Sequence, residues 1–305
     1  MKKMFPLKTP LRYPGGKSKA VKTLSEWYPN QFYEYREPFI GGGSMAVYTA
    51  QAYPGTPIWI NDLYVPLYNF WVQLRDNGEL LSNRVREEKE KMLERSDDDG
   101  NSDPENKVFS SMEKYARDLY CKYQDEIDSL NDLERAVAFF IMNKCSYSGL
   151  TENSSFSVQA SKSNFSLVGA DKLKKFSKLI QNWKITNIDY SEVMNSDGKD
   201  VFVFLDPPYD IKDFLYGKNR EMHRGFDHYR FADDVYNCPH KFMITYNLNE
   251  KLLELYKEYE CKEWELRYSM VHRGVKGTKD NVKKELLVTN YLQNNLTSLE
   301  LAFHD

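Results

Sequence analysis

Asp206-Pro207-Pro208-Tyr209 follows directly on five apolar residues, Val201-Phe202-Val203-Phe204-Leu205. A short apolar run with proline behind it reads as a buried strand, and such a strand delivers its carboxyl end to the crevice where open α/β sheets bind ligands. Two consecutive prolines fix φ and remove two N–H donors, and the residue before a proline is biased to extended backbone. The result is a rigid edge of carbonyl acceptors beside the Asp206 carboxylate, with the flat face of Tyr209 next to it. An acceptor-only edge with a stacking ring suits a planar amine that must donate two hydrogen bonds. The exocyclic NH2 of adenine is such a group. Asp-Pro also ends strands in plain turns, so the tetrapeptide alone leaves both readings open.

Two further segments carry chemistry. In Glu37-Pro38-Phe39-Ile40-Gly41-Gly42-Gly43-Ser44, glycines at a strand-to-helix turn let a ligand approach the backbone, and the helix amino terminus favours a carboxylate. Asp62 follows Gly43 by 19 residues, near the spacing at which an acid caps ribose hydroxyls in nucleotide folds. The three consecutive glycines do not fit the dinucleotide fingerprint G-x-G-x-x-G. In Leu11-Arg12-Tyr13-Pro14-Gly15-Gly16-Lys17-Ser18, the last three residues superficially resemble a phosphate loop. Leu11 stands where that motif needs glycine and no apolar strand precedes it, which excludes an NTPase. Lys17 can still reach a carboxylate and Tyr13 can pack on a flat or apolar ligand; a plain surface turn is the alternative.

These segments need a sheet that brings their turns to one edge. Residues 32–40 read as a strand running into the glycines, Ser44 to Tyr48 as a helix opening, and 58–60 as the next strand, a βαβ unit. From Leu80 to about Met142 the pattern becomes helical, broken by the polar stretch 96–104, whose composition predicts a loop. Residues 143–166 interleave polar side chains with Tyr147, Phe156 and Phe165, which predicts short hairpins and exposed loops. The α/β pattern resumes near Ala170 with a Lys-rich helix and strands at 183–188, 201–205, 242–244 and 285–288. No internal repeat is present.

Composition bounds the function. A chain of 305 residues with 41% hydrophobic and 29% charged residues fits one or two soluble domains. No apolar run approaches the roughly 20 residues of a spanning helix, and the basic start MKKMFPLKTP leads into no apolar segment, so neither membrane nor signal peptide is expected. Cys121, Cys145, Cys238 and Cys261 lie far apart without metal-ligand spacing, so free thiols in a reducing cytosol and no metal are expected. The net charge of −3 hides an asymmetry: acidic residues predominate between Asp76 and Arg135, and the remainder is mildly basic. A polyanion therefore finds a favourable face, although a solvated charged surface explains the same pattern.

In this order, with the insertion between them, the motifs resemble the Dam-like family of DNA N(6)-adenine methyltransferases over nearly the whole chain. Arg12-Tyr13-Pro14-Gly15-Gly16-Lys17 is similar to its amino-terminal motif, and Glu37 to Ser44 to its glycine-rich cofactor loop. Asn61-Asp62 is similar to the acidic motif that follows, and Asp206-Pro207-Pro208-Tyr209 to its catalytic signature. Residues 143–150 look like the segment leading into the family's DNA-reading hairpin, and 242–247 and 284–291 like its later motifs. Tyr13 stands where the best-known relatives have tryptophan.

The resemblance implies an α/β, Rossmann-like mixed sheet with helices on both faces, built from residues 1–64 and 171–305. A mostly helical target-recognition lobe with a hairpin, residues 65–170, is inserted into it. It implies S-adenosylmethionine as methyl donor, with Tyr13, Lys17, Phe39, Gly41, Gly43, Asp62, Asp189 and Asp206 as its contacts. Asp206, Pro207, Pro208 and Tyr209 would be catalytic, methylating adenine flipped out of double-stranded DNA. Arg12, Lys144, Ser146, Tyr147, Asn153 and Lys162 would contact DNA, and the acidic loop Asp97-Asp98-Asp99 would point away. Thr151-Glu152-Asn153 occupies the hairpin where GATC-methylating relatives tend to carry basic residues, so that target is not carried over. Met222 to His228 is expected to close over the cofactor or the base. A bacterial or viral cytoplasmic enzyme with no obligatory protein partner is expected. The acceptor edge would equally serve an exocyclic amine in RNA, whereas a protein-glutamine methyltransferase usually carries Asn in place of Asp206; a catalytically silent DNA-binding protein is the reading from another class.

Overall fold

The computed structural model describes residues 7–13, 15–95, 110–149, 151, 154–209, 226–267 and 282–292. In chain order the elements are α1 (Val21–Ser25), β1 (Glu34–Glu37), α2 (Ser44–Ala52), β2 (Ile58–Asn61), α3 (Val65–Asp76), α4 (Gly78–Leu93), α5 (Ser111–Glu126), α6 (Asp132–Cys145), α7 (Val158–Ser163) and α8 (Leu167–Leu179). They continue as β3 (Lys184–Thr186), α9 (Tyr190–Asn195), β4 (Val201–Leu205), α10 (His228–Tyr236), β5 (Lys241–Asn247), α11 (Glu250–Leu255), β6 (Glu260–Arg267) and β7 (Val282–Thr289).

The strands form one sheet in the order β3-β2-β1-β4-β5-β7-β6. The first five run parallel, and β7 enters antiparallel between β5 and β6. The order reverses between β1 and β4, and such a switch point opens a crevice outside the carboxyl ends of the two strands. The Glu37–Gly43 turn and Asp206 both leave the sheet there.

All five residues of β4 are buried, and their alternation divides the core. Phe202 and Phe204 pack with Tyr35, Met45, Val47 and Trp71 on one face. Val201, Val203 and Leu205 pack with Met194, Phe231, Val235 and Leu252 of α9, α10 and α11 on the other. Each such side chain stabilises the fold by about 1.5–3 kcal/mol through burial. Helices therefore cover both faces of a mixed sheet, as the resemblance implies.

The structure corrects several sequence readings. The first strand is shorter than 32–40, and the antiparallel β6 had no expected counterpart. The helix α3 begins well before Leu80. Its apolar residues Leu67, Phe70, Trp71 and Leu74 are fully buried at helical spacing, but lie in an almost unbroken apolar stretch whose period is hard to read. Residues 143–166 are not mainly exposed loops: Asn143, Ser146, Ser161 and Phe165 are buried, and α7 lies within them. A single bridge, Ser146 to Phe156, with Tyr147 N–H donating to the Ser155 carbonyl, forms the hairpin's base. One hydrophobic cluster runs from the sheet through α3, α4, α5, α6 and α8, so packing is continuous across residue 65. Polar caps start these helices: Ser110 and Glu113 form a capping box on α5, and Asn131 and Ser166 cap α6 and α8.

Candidate active site

At the carboxyl end of β4, the Lys17 ammonium donates to both Asp206 oxygens, at 2.7 and 2.8 Å, and to the Gly15 carbonyl at 3.0 Å. Lys17 is 3% exposed and Asp206 22%, so the pair is sunk at the crevice wall with Asp206 the more exposed partner. Thr245 on β5 adds a hydroxyl to Asp206 Oδ1 at 2.8 Å. A carboxylate offers about four acceptor positions; three hydrogen bonds from Lys17 and Thr245 hold Asp206 and leave capacity for another. Lys17 Nζ also lies 4.9 Å from the centroid of the Tyr209 ring.

The glycine turn is built by close approach. Gly41 and Gly43 have φ of +46° and +69°, which residues with a side chain rarely adopt. A Cβ on Gly41 would meet the Tyr13 ring at 2.9 Å, and one on Gly43 the Trp71 ring at 2.6 Å. Trp71 Nε1 donates to the Gly41 carbonyl at 3.3 Å. Asp62 closes the turn by accepting the Gly41 N–H at 3.2 Å and the Tyr64 N–H at 3.0 Å. Burial pushes its carboxyl up to about 6 despite these two donors.

Behind the turn, burial holds the Glu37 carboxyl well above the ordinary range; the Tyr35 hydroxyl opposes the rise and Asp206 adds to it. Glu37 also accepts the Ala46 N–H at the amino terminus of α2. The buried Asn61 ties the strand ends together, donating to the Pro38 and Ile188 carbonyls and accepting from the Ile188 N–H and the Thr186 hydroxyl.

Beside the turn, Phe39 packs against Tyr190, Phe226 and Phe231 with ring centroids 5.2–5.8 Å apart. Asp189 caps α9 through the Ser191 N–H and pairs with Arg230 at 2.8 Å. Burial raises its carboxyl, but the bonds from Ser191 and Arg230 outweigh that and hold it below the ordinary value.

The amino-terminal segment is a strap between this site and the helical segment. Asn143 at the end of α6 accepts the Arg12 N–H at 2.9 Å and donates to the Arg12 carbonyl at 2.6 Å and the Gly149 carbonyl at 3.0 Å. Arg12 Nη1 donates to the Ser146 carbonyl at 3.0 Å. The next residue is Tyr13, so the hairpin's base and the glycine turn touch the same short stretch of chain.

The residues expected to meet DNA are placed unequally. Lys144 and Ser146 are turned inward rather than presented to a groove. The Lys144 ammonium donates to the Pro10 carbonyl at 2.6 Å, and burial, with Arg12 nearby, lowers its pKa to about 7. The Ser146 hydroxyl, buried, accepts the Thr151 N–H. Tyr147 is 55% exposed, Lys162 is half exposed and paired with Glu113 at 2.7 Å, and Arg12 is half-buried. Asn153, the Asp97–Asp99 loop and 222–225 lie outside the described residues.

Sequence reasoning missed Thr245, Asn143 as a clasp, and Glu285, which accepts the Tyr209 hydroxyl at 2.9 Å. Each lies inside a segment that the family resemblance had marked, but only folding shows which way its side chain points. Among the described residues no group of three or more His, Cys, Asp or Glu could hold a metal, and no helix is long and apolar enough to cross a membrane. Cys121, Cys145, Cys238 and Cys261 are free thiols.

The chain is 26% identical to the type II methyltransferase M1.LlaDCHI of Lactococcus lactis subsp. cremoris, covering 92% of this chain and 94% of that protein. It is 26% identical to the type II methyltransferase M.MjaIII of Methanocaldococcus jannaschii over 65% of this chain and 68% of that one. It is 23% identical to M.CviBI of Paramecium bursaria Chlorella virus NC1A over 93% and 100%. Residues 13–270, which run from the Tyr13 strap past the Asp206 crevice, match one family throughout: this chain belongs to the D12 class N6 adenine-specific DNA methyltransferases.

Proposed function

We propose that the enzyme uses S-adenosylmethionine to methylate N6 of an adenine swung out of double-stranded DNA, with Asp206 and the Pro207 carbonyl gripping the amino group. The observation that carries this reading is the Asp206 carboxylate, fixed by Lys17 and Thr245 at the crevice wall beside Tyr209. Adenine's exocyclic nitrogen is a poor nucleophile because its lone pair is delocalised into the ring. Two acceptors on its hydrogens draw it toward tetrahedral geometry and localise that pair. When bound, S-adenosylmethionine supplies a sulfonium-activated methyl group. The protein's contribution is alignment and charge placement. Duplex stacking hides N6, so the base must leave the stack at a cost of about a few kcal/mol, and Tyr209 offers a replacement stacking surface. Pro208 stiffens the turn between them.

The residues present fit the cofactor. Asp62 has acceptor capacity left for ribose hydroxyls. Gly41 and Gly43 bare the backbone, Tyr13 and Phe39 are flat surfaces at the turn, and Lys17 suits a carboxylate in exchange with the Gly15 carbonyl. Asp189 is suited to the adenine amino group, in exchange with Arg230. Residues 65–170 are assigned to target recognition, with Arg12, Tyr147 and Lys162 as the candidate DNA contacts among the described residues. Three relatives are named type II methyltransferases, which supports action at a defined site.

The direct test is incubation with labelled S-adenosylmethionine and separate pools of RNA, protein, and DNA from a host lacking adenine methylation. Label is expected in DNA alone, as N6-methyladenine on digestion, and sequencing the product reads the target. Label in RNA or protein instead would reject the assignment.

Asp62 makes a second expectation. Its folded pKa of about 6 lies above the ordinary 3.8, so the free enzyme holds a proton there up to about pH 6, and hydroxyl donors prefer the ionised form. Cofactor affinity is expected to fall by up to about tenfold per unit as pH drops below about 6, and to level off above it. Asp62→Asn cannot titrate and is expected to bind more weakly with a flatter profile. Equilibrium dialysis of labelled cofactor from pH 5 to 8 measures both; an unaltered profile in the variant would remove Asp62 from the site.

A further inference from the structure

We infer that Glu285 is a positioning residue for methyl transfer: its buried carboxylate holds the Tyr209 ring at the tilt needed to stack the extruded base. The inference rests on the reading of Tyr209 given above. Glu285 lies on β7, paired with Asn247 of β5 on one side and Trp264 of β6 on the other, and is 1% exposed. A carboxylate inside a sheet is costly unless it is partnered, and an apolar residue would suit such a position better. It accepts the Tyr209 hydroxyl at 2.9 Å.

Tyr209 needs such a tether. It follows Pro208, the second of the two prolines that fix the backbone, and its ring pivots about two side-chain bonds. Among the contacts of the described residues that restrain it are Glu285 at the hydroxyl, Lys17 at 4.9 Å from the ring centroid, and the Tyr246 ring at 6.0 Å and 45°. Tyr246 is itself buried and shares a 2.7 Å hydrogen bond with His228 Nδ1. Among these, the Glu285 bond is the one that grips the far end of the ring and so fixes its direction. A ring free to swing would still bind cofactor and DNA but would meet the base in the productive pose less often, which lowers kcat more than it raises KM.

Steady-state methylation of DNA from a host lacking adenine methylation, with labelled S-adenosylmethionine, tests this in the full chain. Glu285→Leu removes the acceptor and is expected to lower kcat about 10- to 30-fold with cofactor affinity within about twofold of the parent. Glu285→Gln keeps an acceptor at the same reach and is expected to lose less than about threefold. Glu285→Asp keeps the charge but draws the acceptor back by one methylene, and is expected to fall nearer to Leu than to Gln. Tyr209→Phe reads the same bond from the other end, and combining it with Glu285→Leu should add less than about twofold. Parental kcat in Glu285→Leu, losses that multiply in the double variant, or Gln falling as far as Leu would each overturn the proposal. Should Glu285→Leu fail to fold, Tyr209→Phe alone decides it, since parental kcat there leaves the bond without a role. A Tyr209→Ala variant separates the layers: parental kcat in it overturns the stacking role itself, whereas loss in it with parental Tyr209→Phe and Glu285→Leu overturns only the tether.

Discussion

Asp206→Asn is expected to lower methyl transfer about a thousand-fold while the chain stays folded. The amide keeps one oxygen to accept from Lys17 and Thr245, but its NH2 takes the place of the other oxygen that Lys17 bonds and presents hydrogens to an amine that needs acceptors. Removing one preorganised partner of the reacting group typically costs about 100- to 1,000-fold, and the reversed polarity places this change at the upper end. Asp206→Ala is expected to be at least as inactive and also less stable. Alanine removes the acceptor and leaves Lys17, which is 3% exposed, without its carboxylate. Stranding one partner of such a pair costs about 3–5 kcal/mol when both are buried, and the partial exposure of Asp206 places the loss at or below the lower figure. Single-turnover methylation with labelled cofactor, beside urea unfolding of both variants, separates the effects. Asparagine activity within tenfold of the parent would remove Asp206 from the chemistry.

Gly43→Ala is expected to destabilise the enzyme by about 3 kcal/mol and to weaken cofactor binding more than tenfold. Two effects add. The backbone sits at φ +69°, a region that costs a non-glycine residue about 1 kcal/mol or more. The new methyl would also lie 2.6 Å from the fully buried Trp71 ring, and overpacking of this kind costs about 1–3 kcal/mol. Trp71 yields by moving away from the Gly41 carbonyl that it bonds, so the strain reaches the turn proposed to hold the cofactor. Gly55→Ala is the control. Its φ is +90° but nothing lies within 4 Å of the added Cβ, so it carries the backbone cost without the clash. Urea midpoints and cofactor titrations of the two variants compare them. If Gly43→Ala were no worse than Gly55→Ala, the close approach of Trp71 would not be what shapes the turn.

Much of the framework was legible because it rests on local chemistry. The Val201–Leu205 run can satisfy its backbone and hide five apolar side chains in one way, as a central strand. The glycines before Ser44 mark a strand-to-helix turn because few other residues tolerate that backbone. Elements whose character is set by neighbours were harder: β6, as Glu260-Cys261-Lys262-Glu263-Trp264-Glu265-Leu266-Arg267, carries five charged residues and becomes a strand because β7 offers it an edge.

The candidate site divides in the same manner. That Asp206 ends a buried strand, that a lysine and an acid accompany two glycine turns, and that the motifs occur in the order of one methyltransferase family are properties of the chain read in line. Which partner each group takes is not. Lys17 and Asp206 are 189 positions apart, Asn143 and Arg12 are 131 apart, and Lys144 looks like any surface lysine until α6 turns it onto Pro10. Residue type and spacing carry backbone preference and side-chain chemistry, which act over a few residues. Pairing, burial and the direction of a side chain come from long-range packing, and so belong to the fold.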